Sequence, residues 1–505
     1  MKEYRWDRFK EYIGTKQGQS ALFNIFSVTE IFLFLYYCAI WYLPITKNIY
    51  TTAFWGLSYN IFFYYLIFLN IFVIGKIVRK RILKPKFTTR LIILLFLFSI
   101  GLIIDLYILY KFNLWNFTYL YILGTFLAMP LIIFFYNFLS FPLVKHKKNK
   151  LIKKAINKSN KFSKPIKIGI TGSYGKSSIK EYLSTILSQD GKTLKTPENI
   201  NTELGVSSLI INKLQNSYKY FVAEMGAYKI GEIDLLGKIV NHKYGFLTAV
   251  GNQHIALFGS QNNIKTGKSE IQNSVIKNKG KLYINWNNHF IREIKFNKKT
   301  ELVKYGNIEG ADAFYKIINI KDGITEFEFH YKNLKTKFET KLLGEHNILN
   351  LTGVLALCYD LGLKTKELKQ YIIKVKNPKD TLNIIKKGQT ILINDTYNLS
   401  EDGLYAGIDI LNSYEGDKIL VIDDILELGK QAKVIHKTIG KYIAEDKKID
   451  KVFYCGINYK DAFIEGLIDG GFKEKNIITN FDNIKNKSVI LFEGRNAKKY
   501  LNKLK

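Results

Sequence analysis

Cysteine is scarce in this sequence, and acid is in short supply. Only three cysteines (Cys38, Cys358 and Cys455) occur in 505 residues, far apart and without a CxxC pair. That pattern argues against a disulfide framework or a zinc ribbon and suits a reducing compartment. A cleavable signal peptide is not evident either. The first long apolar run begins near Ala21, is too long for an h-region, and lacks a small-residue cleavage site. Acids number 43 against 75 Lys and Arg, a formal net charge of +32. Such an excess can serve nucleic acid, where phosphate neutralisation drives binding. Here lysine is spread along the whole chain among abundant Asn and Ile, and its densest clusters flank apolar runs. Nucleic acid is therefore not an expected partner.

What is present reads as two materials. Residues 1–145 hold four apolar, aromatic-rich runs, at roughly 21–45, 51–75, 91–110 and 115–143. Each is near the ~20 residues that a helix needs to cross a bilayer core. Trp41, Tyr42, Trp55 and Trp115 sit at their ends, as interfacial anchors do. The loop after the second run carries Lys76, Arg79, Lys80, Arg81, Lys84, Lys86 and Arg90 without an acid, and lysines again follow the fourth. By the positive-inside rule both termini face the cytoplasm. The expectation is a four-span helical bundle over 1–145, multi-pass in the inner membrane, with Glu30 and Asp105 as intramembrane acids. Residues 146–165 read as a basic juxtamembrane linker that touches anionic lipid.

The second half opens with Ile166-Lys-Ile-Gly-Ile-Thr-Gly-Ser-Tyr-Gly-Lys-Ser-Ser178 and an amphipathic stretch. A strand, a Gly-rich turn and a helix are the context a phosphate loop requires. Backbone N–H groups of Gly172, Ser173 and Gly175 would cradle phosphate oxygens beside the helix N-terminus. Lys176 would reach the β- and γ-phosphates, Ser177 would ligate Mg²⁺, and Ser178 follows in the same turn. The spacing is not GxxxxGK[ST], since position 170 is Ile.

Further patterns follow in order. Tyr220-Phe-Val-Ala-Glu-Met-Gly226 is a buried-strand pattern ending in Glu224, and Gly245-Phe-Leu-Thr-Ala-Val-Gly-Asn-Gln-His254 is another, ending in His254. Ile264-Lys-Thr-Gly-Lys-Ser-Glu-Ile271 then reads as helix and carries Lys268. Parallel strands gather their C-terminal ends, so Glu224, His254 and the loop are expected to converge. From about 379, short β-branched runs alternate with helical stretches, which reads as a small parallel α/β unit.

These segments resemble the central domain of the Mur ligases, whose loop reads T-G-[ST]-x-G-K-[ST]. Asn199-Ile-Asn-Thr-Glu-Leu-Gly-Val206, Ala223-Glu-Met-Gly-Ala227, Gly344-Glu-His-Asn-Ile-Leu-Asn350 and Asn394-Asp-Thr-Tyr-Asn398 are most similar to the branch that adds D-alanyl-D-alanine to a muramoyl tripeptide. The resemblance covers roughly 165–500. It implies an ATP-dependent ligase that forms an acyl phosphate, with ATP and two Mg²⁺ ions as cofactors. Ser177 and Glu224 would hold one metal, and His254 and Lys268 the other, with Lys268 carbamylated. Asn347, Asn350, Asp395, Tyr397 and Asn398 would surround the nucleotide. A muramoyl peptide and D-Ala-D-Ala are the implied substrates, with membrane-bound cell-wall enzymes the implied neighbours. The carrier stays open between UDP and a lipid pyrophosphate. The alternatives are a Mur-like ligase for a lipid-linked stem peptide or a poly-γ-glutamate-type polymer, and a nucleotide-binding membrane scaffold without catalysis.

Ile425-Leu-Glu-Leu-Gly429 followed by His436 resembles the family's acceptor-side motif. Three departures stand out. The family's N-terminal nucleotide-sugar domain is absent from 1–145. Lys379 stands where the family has an arginine approaching the γ-phosphate, and lacks its bidentate fork. The late Lys-Gly-Ser motif appears as Phe492-Glu-Gly-Arg-Asn496, which leaves Arg495 as a second candidate cation. The expected fold is therefore the membrane bundle (1–145) and linker (146–165), then a P-loop parallel-sheet ATPase domain (166–377) and a C-terminal Rossmann-like α/β domain (378–505).

Overall fold

The computed structural model describes scattered positions between 92 and 111, then residues 118–504 apart from 252–254, 322–323, 398, 427, 447 and 482–487. The chain forms two compact units, one holding Gly18–Lys148 and the other Asn149–Lys505.

The four-span bundle is corrected. Among the described residues no helix is long and apolar enough to cross a membrane. The runs at 21–45 and 51–75, with Glu30 and Asp105, lie outside the described residues. The run at 115–143 falls largely within helix α1 (Thr118–Lys161), which has no boundary at the basic flank and continues through it to Lys161. Counting apolar residues measures the length of a run but not where a helix ends, and here apolar and lysine-rich segments share one helix. The multi-pass placement and the lipid partner rested on those spans and fall with them.

Within the second unit, the last turns of α1 bury Ile152, Ala155 and Ser159. Ser159 Oγ donates to the Val240 carbonyl at 2.8 Å and Lys158 Nζ to the Ile211 carbonyl at 2.6 Å. The stretch read as a linker is therefore helical through Lys161 and packed on the domain that follows.

That domain is built on β1 (Ile166–Thr171), whose run of Ile and Thr is buried on both faces, as a central parallel strand demands. Helix α2 (Lys176–Asp190) leads to β2 (Thr193–Lys195), and α3 (Glu203–Lys213) to β3 (Tyr220–Glu224). Helix α4 (Glu232–Val240) precedes β4 (Tyr244–Leu247), and α5 (Gln261–Ser269) precedes β5 (Lys281–Asn285). Strands β6 (Glu301–Gly306), β7 (Ala313–Lys321), β8 (Ile324–Tyr331) and β9 (Leu334–Thr340) complete a nine-stranded sheet in the order β2-β3-β1-β4-β5-β6-β7-β8-β9. It is parallel through β7, after which β8 and β9 add an antiparallel edge.

One face is covered by α2 and by α6 (Glu345–Asp360) through Tyr182, Leu183, Leu351 and Val354. The other is covered by α3 and α4 through Val206, Ile210, Ile233 and Leu236. Strand β1 lies between β3 and β4, where the strand order reverses, so its carboxyl end opens onto the crevice in which α/β sheets bind ligands.

After α7 (Thr365–Ile372), a second sheet runs β10-β11-β14-β12-β13. Its strands are β10 (Asn383–Lys387), β11 (Thr390–Asp395), β12 (Asp417–Ile422), β13 (Lys451–Tyr454) and β14 (Ser488–Glu493). All pairings are parallel except that of β10. Helices α8 (Glu401–Asn412) and α9 (Ala432–Glu445) bury Leu404, Ile408, Ile435 and Ile439 against it. The α/β reading of the second half is what the structure has.

Candidate active site

The turn between β1 and α2 is shaped by two glycines. Gly172 has φ +151°, and a Cβ there would lie 2.0 Å from Thr248 Oγ1, so no larger residue fits. Gly175 has φ +80° and packs against Asn350. The turn is pinned to the segment after β4. Ser173 N donates to the Ala249 carbonyl at 2.8 Å, Gly251 N donates to Ser173 Oγ at 3.0 Å, and the Thr248 hydroxyl donates to the Tyr174 carbonyl. Lys176 folds over the loop and donates to the carbonyls of Gly172 (2.6 Å) and Ser173 (2.9 Å). Burial pushes its pKa down, and the Glu224 carboxylate pushes back.

Glu224 ends β3 within reach of the loop. Ser177 Oγ and Lys180 Nζ each donate to Glu224 Oε2 at 3.0 Å, and Asn201 Nδ2 donates to Oε1 at 3.1 Å. Burial alone would raise the Glu224 pKa. The charges of Lys180 and Lys176 and the Asn201 hydrogen bond outweigh it, so the carboxyl is held below its usual range. Lys180 was missed in the sequence. Its one signal is a place one turn after Lys176 on α2, and only the packed sheet reveals its partner.

Lys268, near the end of α5, is 1% exposed, with Nζ 5.8 Å from the Phe258 ring centroid. Burial, then the positive charge of Lys176, hold its pKa well below the ordinary lysine range. His254 lies outside the described residues, as does Asn398. Among the described residues no group of three His, Cys, Asp or Glu side chains could hold a metal. Ser177 and Glu224 are nonetheless two oxygen donors side by side, which fits a cation that keeps several of its waters.

Asn347 and Asn350 are buried on α6. Asn350 sits under Gly175, whereas Asn347 donates to the Leu343 carbonyl (2.8 Å) and its Oδ1 is 2.8 Å from the Tyr182 hydroxyl. Ser178 turns inward toward Tyr182, away from the loop. Tyr397 donates from its hydroxyl to Asn199 Oδ1 at 3.1 Å, which links the second sheet to the first. It lines, with Ser177, Lys180 and Lys379, a cavity of about 340 Å³. Asp395 is not brought to that cavity's lining. It is buried at the end of β11, in register with Glu493 of β14, and both oxygens of Glu493 lack a partner.

Arg495 is exposed and donates to the Tyr397 carbonyl at 3.3 Å. His436 is spent structurally, since Nε2 accepts from Ile425 N at 3.0 Å and Nδ1 is 2.6 Å from the Ala432 carbonyl. The resemblance drew attention to this histidine as part of an acceptor-side motif, but both ring nitrogens are already used inside the domain.

A glycine-turned phosphate loop, a charged carboxylate on its serine and a small α/β domain beside it define a nucleotide-binding fold of the P-loop class. Residues 170–358 match the Mur ligase middle domain family. A UDP-N-acetylmuramoyl-tripeptide--D-alanyl-D-alanine ligase of Buchnera aphidicola is 31% identical over 299 residues, 59% of this chain and 64% of that one. The Bacillus subtilis protein of the same name is 30% identical over 292 residues, 57% of this chain and 62% of that one. The chain thus spans a little under two thirds of the length of these relatives. A crystal structure of MurF from Acinetobacter baumannii superimposes with a TM-score of 0.65 at 26% identity, covering 71% of this chain and 80% of that one. Over these residues the chain is similar to MurF-type Mur ligases.

Proposed function

We propose that this chain is an ATP-dependent ligase that joins D-Ala-D-Ala to UDP-MurNAc-tripeptide and releases ADP and phosphate. The observation that carries the reading is Glu224 held between Ser177 and Lys180 at the mouth of the glycine turn, with Lys176 folded across it. The names of the relatives at 30–31% identity support the choice of substrates.

The substrate carboxylate attacks the γ-phosphorus, the bond to ADP breaks, and an acyl phosphate forms. The amine of D-Ala-D-Ala then attacks that carbonyl, loses a proton, and expels phosphate as the amide forms. Lys176 and Lys379 would neutralise phosphate oxygens, the first from the glycine turn and the second from the cavity lining. This is the positioning and charge work that phosphoryl transfer requires. Lys379 lines the same cavity as Ser177, which favours it over Arg495 for the role of the family's arginine. Asn350 under the glycine turn and Tyr397 at the cavity would close around the nucleotide, with the Tyr397–Asn199 hydrogen bond as a latch, while Asp395 and Asn347 are spent on contacts within their own domains. Closure keeps water from the mixed anhydride.

Ser177 and Glu224 would hold Mg²⁺, which would supply charge neutralisation to the nucleotide phosphates. His254 and Lys268 are the proposed ligands of a second ion. The depressed pKa of Lys268 favours the neutral amine, which adds to CO₂ with loss of a proton and becomes a carbamate. The test is an incubation with UDP-MurNAc-tripeptide, D-Ala-D-Ala, Mg²⁺ and ATP. ADP, phosphate and UDP-MurNAc-pentapeptide are expected in equal amounts, and ADP without pentapeptide would refute the assignment.

A further inference from the structure

The oxygen that suits a metal is already taken by a cation of this chain. Lys180 is 1% exposed, and its Nζ donates to Glu224 Oε2, the oxygen that also accepts the Ser177 hydroxyl. The other oxygen, Oε1, accepts from Asn201. A buried carboxylate without a counter-charge is costly, so an ammonium here stabilises the metal-free fold. A divalent ion on the same oxygen would stand a few ångströms from that ammonium and be repelled by it. Lys180 is not confined to Glu224, however. It also lines the 340 Å³ cavity, where four further lysines, Lys379 among them, outnumber Glu181 and Glu198 and leave a net basic space suited to an anion. Its four-carbon stem lets the charge move while the helix stays in place.

We propose that Lys180 is a tethered competitor of the metal: it neutralises Glu224 in the metal-free protein and swings to a nucleotide phosphate when a divalent ion takes Oε2. Lys180 is thus a positioning residue that couples metal entry to phosphate binding. The inference rests on the proposed Mg²⁺-nucleotide site but not on the identity of the acceptor or the amine.

The test is an electron paramagnetic resonance titration of the full chain with Mn²⁺ alone, comparing the unsubstituted protein with Lys180→Gln and Lys180→Met. Removing the competitor is expected to lower the Mn²⁺ Kd on the order of tenfold, as loss of a nearby like charge should. A lysine that serves only packing would leave Mn²⁺ affinity unchanged or weaken it, and either result overturns the proposal. Should neither variant fold, a crystal structure of the unsubstituted protein with Mg²⁺ and ADP decides. Lys180 Nζ is expected beyond about 4 Å from Glu224 Oε2 and on a phosphate oxygen. An ion pair that persists beside the bound metal overturns it. Neither measurement uses D-Ala-D-Ala or a muramoyl peptide, so failure of the ligase assay would not affect the outcome.

Discussion

Both parallel sheets end strands in acids, and they treat those acids in opposite ways. In the first sheet Glu224 closes β3 beside Lys180, Lys176, Ser177 and Asn201, and it is held charged despite deep burial. In the second, Asp395 and Glu493 close neighbouring strands with no cation between them, and both are pushed up, first by burial. Two carboxyls side by side in a dry place cannot both ionise, so the pair retains a proton. The same topological position thus yields a charged carboxylate in one domain and a pair that keeps a proton in the other. The cations of α2, and not the strand ends, account for the difference.

Four experiments test this contrast. The largest effect is expected from Lys176→Ala, which removes the phosphate-loop cation. ADP release should fall by at least about 10³-fold, while circular dichroism remains that of the folded protein. Near-normal turnover would mean the first sheet is not where phosphate is handled. Glu224→Gln should cost about 10²-fold in turnover, read as ADP release across a Mg²⁺ titration. It should also flatten the acid limb of the stability curve. The native pKa of Glu224 is depressed, so its stabilisation is present above the unfolded value of 4.5 and is lost as pH falls below it.

Lys268 gives a spectroscopic check. With ¹³C-bicarbonate, a carbamate resonance is expected in the unsubstituted protein and absent from Lys268→Ala, whose turnover should also drop. The same resonance in both proteins would remove Lys268 from the site. The smallest effect belongs to the second sheet. Asp395 is raised from 3.8 to about 7, so the native state binds more protons than the unfolded state between those values. Stability should therefore fall as pH rises through that window. Glu493→Gln removes a carboxyl that folding forces to stay protonated and should recover on the order of 1 kcal/mol at pH 8, measured by urea unfolding. An unchanged pH slope would show that the two carboxyls do not interact.

The glycine turn at 172 and 175 was legible because it is a local object: the strand end, the turn and the helix start at Lys176 lie within a few residues. Glu224 was legible as a strand end. The alternation of strands and helices gave both parallel sheets, but the antiparallel edge of β8 and β9 was not foreseen. Lys180 was not legible, because a lysine one turn into a helix looks solvated until the sheet beneath supplies its carboxylate. His436 drew attention through its motif, yet its two nitrogens are used inside the domain. The membrane reading failed because hydropathy reports what a run is made of and says nothing of where its helix stops.

Neighbours along the chain were enough to specify the α/β character of residues 166–505 and the glycine turn at the end of β1, since period and turn chemistry are local. Only the tertiary structure decided which acid is charged and which stays protonated. That depends on the distance to a cation tens of residues away and on how much water the packed sheet excludes.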